Sequence, residues 1–389
     1  MAMERKGRVA KATHVGIPSD LVEEEHGREA FAGPASHLYR TQPPTAWIAV
    51  DGPLRPAAYD LNQLNPPDAD DPEGHPMAVL VNDDVRVSVS RRRTPMPFAV
   101  RNADADEIVY VHQGAGVLQT DYGPLDYAAE DYLVIPKGTA HRWVPDGGAS
   151  RRPDHMYGDE TFLYVIESIA PVRLPDFGLM GRHAVVDPKV LTTPEPYAEA
   201  PTDWGGDGND RWRIKVKRLG EWTTFVYPFN PFTAVGWAGD LAPYRLHVSD
   251  IRPVVSPRYH LPPSVHTTFR CGEFDIATFV PRPFETDPES LRVPFFHANV
   301  DNDEVIFYSR GDFFSRKGIG EGWITHHPAG VQHGPQPGAA ETAASKEMVD
   351  EIGVMIECHK PLMSTDDVKV AADAAYTTSW ARGLGLLDT

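Results

Sequence analysis

Apolar residues in this chain cluster in short β-branched or aromatic runs, each bounded by turn-forming residues. VRVSVS (85–90), EIVYVHQ (107–113), DYLVIPKG (131–138), FLYVIES (162–168), TTFVYPF (223–229), DIATFVP (275–281) and EVIFYSRG (304–311) are the clearest. Such spacing predicts strands joined by tight turns, the pattern of an all-β sandwich or barrel. Helical periodicity is confined to 344–352 (ASKEMVDEI) and to the C-terminal end. Two Pro/Gly/Asp-rich stretches, 63–76 and 193–210, read as surface connections.

Composition narrows the class without naming a function. A chain of 389 residues is long enough for about two domains at ~100–200 residues each. With 37 basic and 55 acidic side chains its net charge is −18, and no Lys/Arg cluster offsets it. That balance argues against nucleic acid and anionic membrane surfaces as partners. Two cysteines cannot build a disulfide framework, so a reducing, cytoplasmic setting is expected. The opening MAMERKGRVAKATHVGIP has no apolar core, so a secretory signal is not expected, and no apolar stretch of about 18 residues predicts a membrane span. The 37 Pro and 32 Gly fit a turn-rich β protein, and the 16 His raise the question of metal.

An internal repeat is more specific. Residues 104–114 read DADEIVYVHQG and residues 301–311 read DNDEVIFYSRG, so Glu107 and Glu304 each stand seven residues before a glycine. Downstream, PKGTAH (136–141) and PAGVQH (328–333) are both Pro-x-Gly-x-x-His. Glu304 follows Glu107 by 197 residues and His333 follows His141 by 192, so the two elements recur in step. Each Glu begins a strand ending at a turn glycine, and Pro-x-Gly turns the chain into the segment carrying the His. The paired elements resemble the two motifs of the cupin superfamily, which implies an all-β bicupin of two jelly-roll domains. The expected division is 1–245, with a degenerate cupin, and 246–389, with the catalytic one.

The second repeat carries a metal-ligand set. Two His and one carboxylate on one face leave open positions on a non-haem ferrous ion. His297, Glu304 and His333 supply that set, whereas the position matching His297 in the first repeat is Val100. Glu107 and His141 alone make a poor site. Zinc and manganese suit the same ligands, so residue types leave the metal open. A lone His is more often a hydrogen-bonded or surface residue, which is the ordinary reading of the pair His326–His327.

Longer stretches identify a family. AFAGPASHLYRTQPPTAW (30–47), LQTDYGPLDYAAEDYLVIPKG (118–138), LPDFGLMG (174–181), NPFTAVGWAGDLAPYRLHVSDI (230–251), RVPFFHANVDNDEV (292–305) and HPAGVQHGP (327–335) resemble homogentisate 1,2-dioxygenase. The resemblance implies an Fe(II)- and O2-dependent enzyme that opens the ring of homogentisate to maleylacetoacetate in tyrosine and phenylalanine breakdown. It implies that His297, Glu304 and His333 bind the iron. His260 becomes the acid/base toward the phenolic hydroxyl, a role suited to imidazole near neutral pH. His327, Phe313 and Asn299 join His333 as residues that face substrate or support the ligands. A homo-oligomer, trimer or pair of trimers, is implied as well.

Three positions depart from the family pattern. The His297–Glu304 spacing is one residue longer, Phe313 stands where a substrate-contacting Tyr is expected, and Ala298 stands where an Arg follows the first ligand. A related substrate, another substituted hydroquinone or an aminophenol, therefore competes with homogentisate. A non-oxidative metal cupin, an isomerase or binding protein, is the reading from another class. Arg310, Arg316, Lys317 and Arg258 are the candidate cations for a substrate carboxylate.

Overall fold

Alternation along the strand Asp106–Gln113 sets the architecture. Val109 and Val111 point to one side, into a core with Leu118, Leu133, Trp143 and Leu163. Ile108 and Tyr110 point to the other, into a larger core shared with the second half of the chain. The strand Asp303–Gly311 does the same in mirror fashion: Val305 and Phe307 enter the shared core, leaving Glu304, Ile306 and Tyr308 for the opposite face. Period-two side-chain geometry thus gives each central strand one face for its own domain and one for the other.

The computed structural model describes residues 4–147, 160–176, 178–205 and 211–387. A seven-stranded sheet runs in the order Tyr244–His247, Asp131–Ile135, Asp106–Gln113, Thr161–Ser168, Val85–Arg92, Met77–Val81, Met363–Ser364. A six-stranded sheet, Glu221–Tyr227 through Gly123–Tyr127, closes the first jelly roll around the smaller core. A second six-stranded sheet is ordered Thr267–Arg270, Phe274–Phe279, Glu351–Cys358, Asp303–Gly311, Trp323–His327, Ala57–Asp60. It packs face to face on the seven-stranded sheet, with Phe307 stacked on Tyr164 at 4.5 Å between ring centroids. Tyr110 and Ser309, and Tyr132 and Thr278, share hydroxyl hydrogen bonds of 2.7 and 2.9 Å across this layer. Burying each large apolar side chain there contributes ~1.5–3 kcal/mol, which binds the two jelly rolls into one body.

The repeat is structural as well as sequential. In both Pro-x-Gly turns the proline carbonyl accepts a hydrogen bond three residues on, from Thr139 and from Val331, each at 3.1 Å. The turn glycines donate to Asn102 (Gly138, 2.8 Å) and to Asn299 (Gly330, 2.7 Å). The middle residues, Lys137 and Ala329, donate to the carboxylates of Asp106 and Asp303 at 2.7 and 2.8 Å. Gly114 and Gly311 end the Glu-bearing strands with φ of +86° and +110°, where a Cβ would stand 2.8 Å from Thr161 Cα and 2.2 Å from Asp350 O. Glycine is required at both.

Both chain ends cross between the halves. Ala57–Asp60 pairs with Trp323–His327, and Val22–Gly27 runs parallel to Phe296–Asn299 while pairing with Ala35–Arg40. Met363–Ser364 joins the edge of the seven-stranded sheet. The all-β, bicupin expectation holds. The helix expected over 344–352 does not form: Ala339–Ala344 is helical, but Met348–Val349 and Glu351–Cys358 are strands. Glu351–Cys358 lies between two strands of the second six-stranded sheet, so ladder bonds and burial of Val354 and Ile356 override local helix propensity. Of the expected loop 193–210, residues 206–210 lie outside the described residues.

Candidate metal centre

His297 and His333 face one another as a hydrogen-bonded backbone pair, with N–H to carbonyl distances of 2.8 and 2.9 Å. Each ring is anchored by its Nδ1: His297 Nδ1–H donates to the Phe295 carbonyl (3.0 Å) and His333 Nδ1–H to that of Val331 (3.1 Å). That tautomer leaves both Nε2 atoms as lone-pair acceptors, buried and without hydrogen-bond partners. They point at Glu304, at 3.6 Å (His297) and 3.4 Å (His333). Two ligands bound ~2.0–2.2 Å from a tetrahedral metal stand roughly 3.4 Å apart, so the spacing matches a shared cation. With neutral rings, three acceptors converging in a buried site are unfavourable unless a cation joins them.

Antiparallel register places His327 directly opposite Glu304. Its Nδ1–H donates to Glu304 Oε1 at 2.8 Å, and the Tyr376 hydroxyl donates to its Nε2 at 2.9 Å. With both nitrogens engaged, His327 orients the carboxylate instead of offering a ligand atom. Burial opposes ionisation of Glu304, but the surrounding imidazoles, His333 foremost, outweigh it and hold the carboxyl well below its usual range. Burial pushes the imidazoles of His333 and His327 down, toward the neutral form. A carboxylate facing neutral imidazoles is the protonation state that binds a metal. On the other flank Glu357 lies opposite Glu304, and burial together with the Glu304 charge raises its carboxyl well above the ordinary value.

A cavity beside the cluster is lined by His297, Glu304 and His260. His260 Nδ1–H donates to Glu285 Oε1 at 2.8 Å, which fixes the tautomer in which a neutral ring carries its lone pair on Nε2. Phe295, Ile306, Tyr308 and Phe313 supply apolar walls. Phe313 is buried and packs edge-on against Tyr308 at 4.9 Å. Among the four candidate cations only Arg316 lines this cavity. Arg310 pairs with Glu130 and Arg258 with Asp287, while the Lys317 backbone N–H donates to Gln336. Arg316 is buried, donates to the Gly334 carbonyl at 2.7 Å, and among the described residues has no carboxylate at ion-pair distance.

Asn299 is placed elsewhere. Its Oδ1 accepts from the Asp301 backbone N–H (3.2 Å), as Asn102 Oδ1 does from Asp104 (3.0 Å), so it repeats a turn-building role of the first half. Ala298 is buried beside the strand Val22–Gly27, opposite His26. Glu107 and His141 do meet, at 3.3 Å, but Val100 pairs with His141 where His297 pairs with His333, and among the described residues no third ligand completes the group. Glu285, Tyr376 and Arg282, which lines the cavity while paired with Glu351 at 3.1 Å, were absent from the residues expected at the site. Tyr308 was legible by alternation from Glu304, whereas Tyr376 lies 49 residues beyond its partner His327 with no pattern linking them.

The model of the homogentisate 1,2-dioxygenase N-terminal region matches residues 87–248. A protein of Saccharolobus solfataricus provisionally named a dioxygenase is 30% identical over 397 residues, covering 97% of this chain and 98% of its own. Homogentisate 1,2-dioxygenase of Sinorhizobium fredii is 26% identical over 259 residues (64% of this chain, 53% of the enzyme), and that of Caenorhabditis elegans 24% over 258 (64% and 55%). The aligned part thus spans about half of those enzymes. A Bacillus subtilis oxalate decarboxylase structure aligns over 83% of this chain and 81% of its own at 9% identity, with a TM-score of 0.35.

Proposed function

This chain belongs to the homogentisate 1,2-dioxygenase family, and from that premise we propose that it is an Fe(II)-dependent dioxygenase opening the ring of homogentisate, with His297, Glu304 and His333 as ligands. The convergence of two bare Nε2 atoms on the Glu304 carboxylate is the observation that carries the proposal. Ferrous iron, when bound there, supplies open coordination positions and the electron transfer that lets a spin-paired ring react with O2.

The chain's own residues account for the rest. His260 takes the phenolic proton on Nε2, and Glu285, bonded to Nδ1, holds the ring in place and stabilises the imidazolium that forms. Phe295, Ile306 and Phe313 flank the aromatic ring and exclude water. Arg316, a buried cation with no carboxylate of its own, meets the acetate arm; an unpaired buried charge is costly unless a ligand neutralises it. No helix among the described residues is long and apolar enough to cross a membrane. A cytoplasmic homo-oligomer belongs to the same proposal. The exposed Phe225 and Val226 on the strand Glu221–Tyr227 are apolar surface that an oligomer would cover.

Phe313 favours a second reading, in which the substrate is another hydroquinone or an aminophenol lacking the group a tyrosine hydroxyl would bind. Oxygen uptake by the Fe(II)-loaded, reductant-protected protein over a panel of such phenols separates the two. Uptake with homogentisate supports the first, and turnover only of a relative supports the second. No uptake with any phenol, together with no affinity for iron, would leave a non-oxidative cupin.

A further inference from the structure

A second cluster of histidine and carboxylate groups lies outside this cavity, in the three-stranded sheet. Alternation on Val22–Gly27 puts Glu23 and Glu25 on one face, with Glu24 turned to Arg40 on the other. Register with Ala35–Arg40 sets His37 opposite Glu25 and Tyr39 opposite Glu23. A tight turn, Ala12 to Val15, then delivers His14 onto that face, its ring stacked on Phe295 at 4.0 Å.

Each carboxylate addresses both imidazoles. Glu23 lies 2.7 Å from His14 Nδ1 and 3.5 Å from His37 Nδ1, and Glu25 lies 3.7 Å from the Nε2 of each. His14 is wholly buried, and its Nε2 has no hydrogen-bond partner; neither does His37 Nδ1. Glu23 and Glu25 are buried too, and among the described residues no Lys or Arg comes within ion-pair distance of either. Tyr39 donates its hydroxyl to Glu23 at 2.7 Å, but among the described residues no fixed positive charge faces either buried carboxyl group, a place that a cation would fill. The backbone reinforces the arrangement. His14 has φ +58°, a left-handed conformation that a non-glycine residue rarely adopts, and its N–H donates to Glu23 at 3.1 Å.

We propose that His14, Glu23 and His37, with Glu25 beside them, form a second divalent-cation site for a zinc-like transition metal. One donor atom from each of His14, Glu23 and His37 lies within 4.8 Å of the others, and mixed imidazole–carboxylate sets select such ions over calcium or magnesium. Glu25 pairs in parallel register with His297, so the two sites share one small sheet. The second site would tie the chain's beginning to the strand that carries the first.

Metal stoichiometry tests this independently of any oxygenase activity. Chelator-stripped protein is titrated with Zn2+ and the bound metal counted, with circular dichroism confirming the fold. The expectation is two equivalents per chain for wild type, one for His333→Ala, one for His37→Gln and none for the double variant. The proposal is overturned if His333→Ala binds none, or if His37→Gln leaves the count unchanged; the cluster is then an imidazolium–carboxylate network. Should His37→Gln not fold, anomalous scattering at the zinc edge from wild-type crystals decides: a peak between His14 and His37 supports the site, and its absence overturns it.

Discussion

His297 pairs with His333 across two backbone hydrogen bonds, and Val100 pairs with His141 at the same place in the first jelly roll. The two halves thus share a scaffold and differ in whether both partners carry an imidazole. In the second half the pairing brings the rings to 4.0 Å between centroids, both aimed at Glu304.

His297→Ala or His333→Ala should reduce bound iron at the Glu304 site to background, measured by elemental analysis after anaerobic loading. His327→Ala should keep the ligands but weaken iron affinity ~10–100-fold, because an outer hydrogen bond that orients Glu304 is lost. An unchanged iron affinity in His327→Ala would sink the orienting role.

Replacing His260 by Ala should leave iron content unchanged and lower kcat ~10²–10⁴-fold, the usual worth of general acid–base help. Glu285→Gln should act in the same direction and more weakly, since it removes only the group that positions the ring. Equal rates for wild type and His260→Ala under single-turnover conditions would assign the base elsewhere.

Arg316→Gln should raise KM for a phenol bearing a carboxylate ~10–100-fold, the worth of a charge-assisted hydrogen bond of roughly 1.5–3 kcal/mol. KM for an uncharged analogue should barely move. Arg316→Lys should recover part of the loss, as it keeps the charge but not the fork of donors. A parallel rise for both substrates would mean a packing role, through the bond to Gly334.

Glu107 gives a stability prediction. Burial, with a contribution from the Glu167 charge, raises its carboxyl to about 7. Between its ordinary value of 4.5 and about 7 the folded chain holds a proton that the unfolded chain has released, so stability falls as pH rises through that window. The loss is roughly 3 kcal/mol in all, at ~1.4 kcal/mol per unit. Glu107→Gln escapes it, so its advantage over wild type in denaturant unfolding should be small near pH 5 and largest above pH 7. A constant difference across that range would refute the shifted carboxyl.

Much of the strand content was legible because period-two alternation and turn residues are local properties. The runs at 85–90, 107–113, 162–168 and 304–311 all lie within strands, extended by two residues or fewer at either end. The segment 344–352 misled for the opposite reason: its helical composition is local, whereas its place inside a sheet depends on strands far away in sequence. The N-terminal strands Val22–Gly27 and Ala57–Asp60 were unread: each has a partner more than 250 residues on, and Val22–Gly27, which also pairs with nearby Ala35–Arg40, reads VEEEHG with no apolar alternation.

The sequence by itself determined the central strands with clear alternation, the doubled Glu-x6-Gly and Pro-x-Gly-x-x-His elements, and the three residues that converge in the second half. Tertiary structure alone decided which way each imidazole presents its lone pair, because that depends on the carbonyls of Phe295 and Val331 and the register of a bridge. It also decided that Arg316 faces the cavity while Arg310 and Arg258 are neutralised, and that His14 meets Glu23 and His37. Such facts are set by distances between strands remote in the chain, which no spacing within a motif encodes.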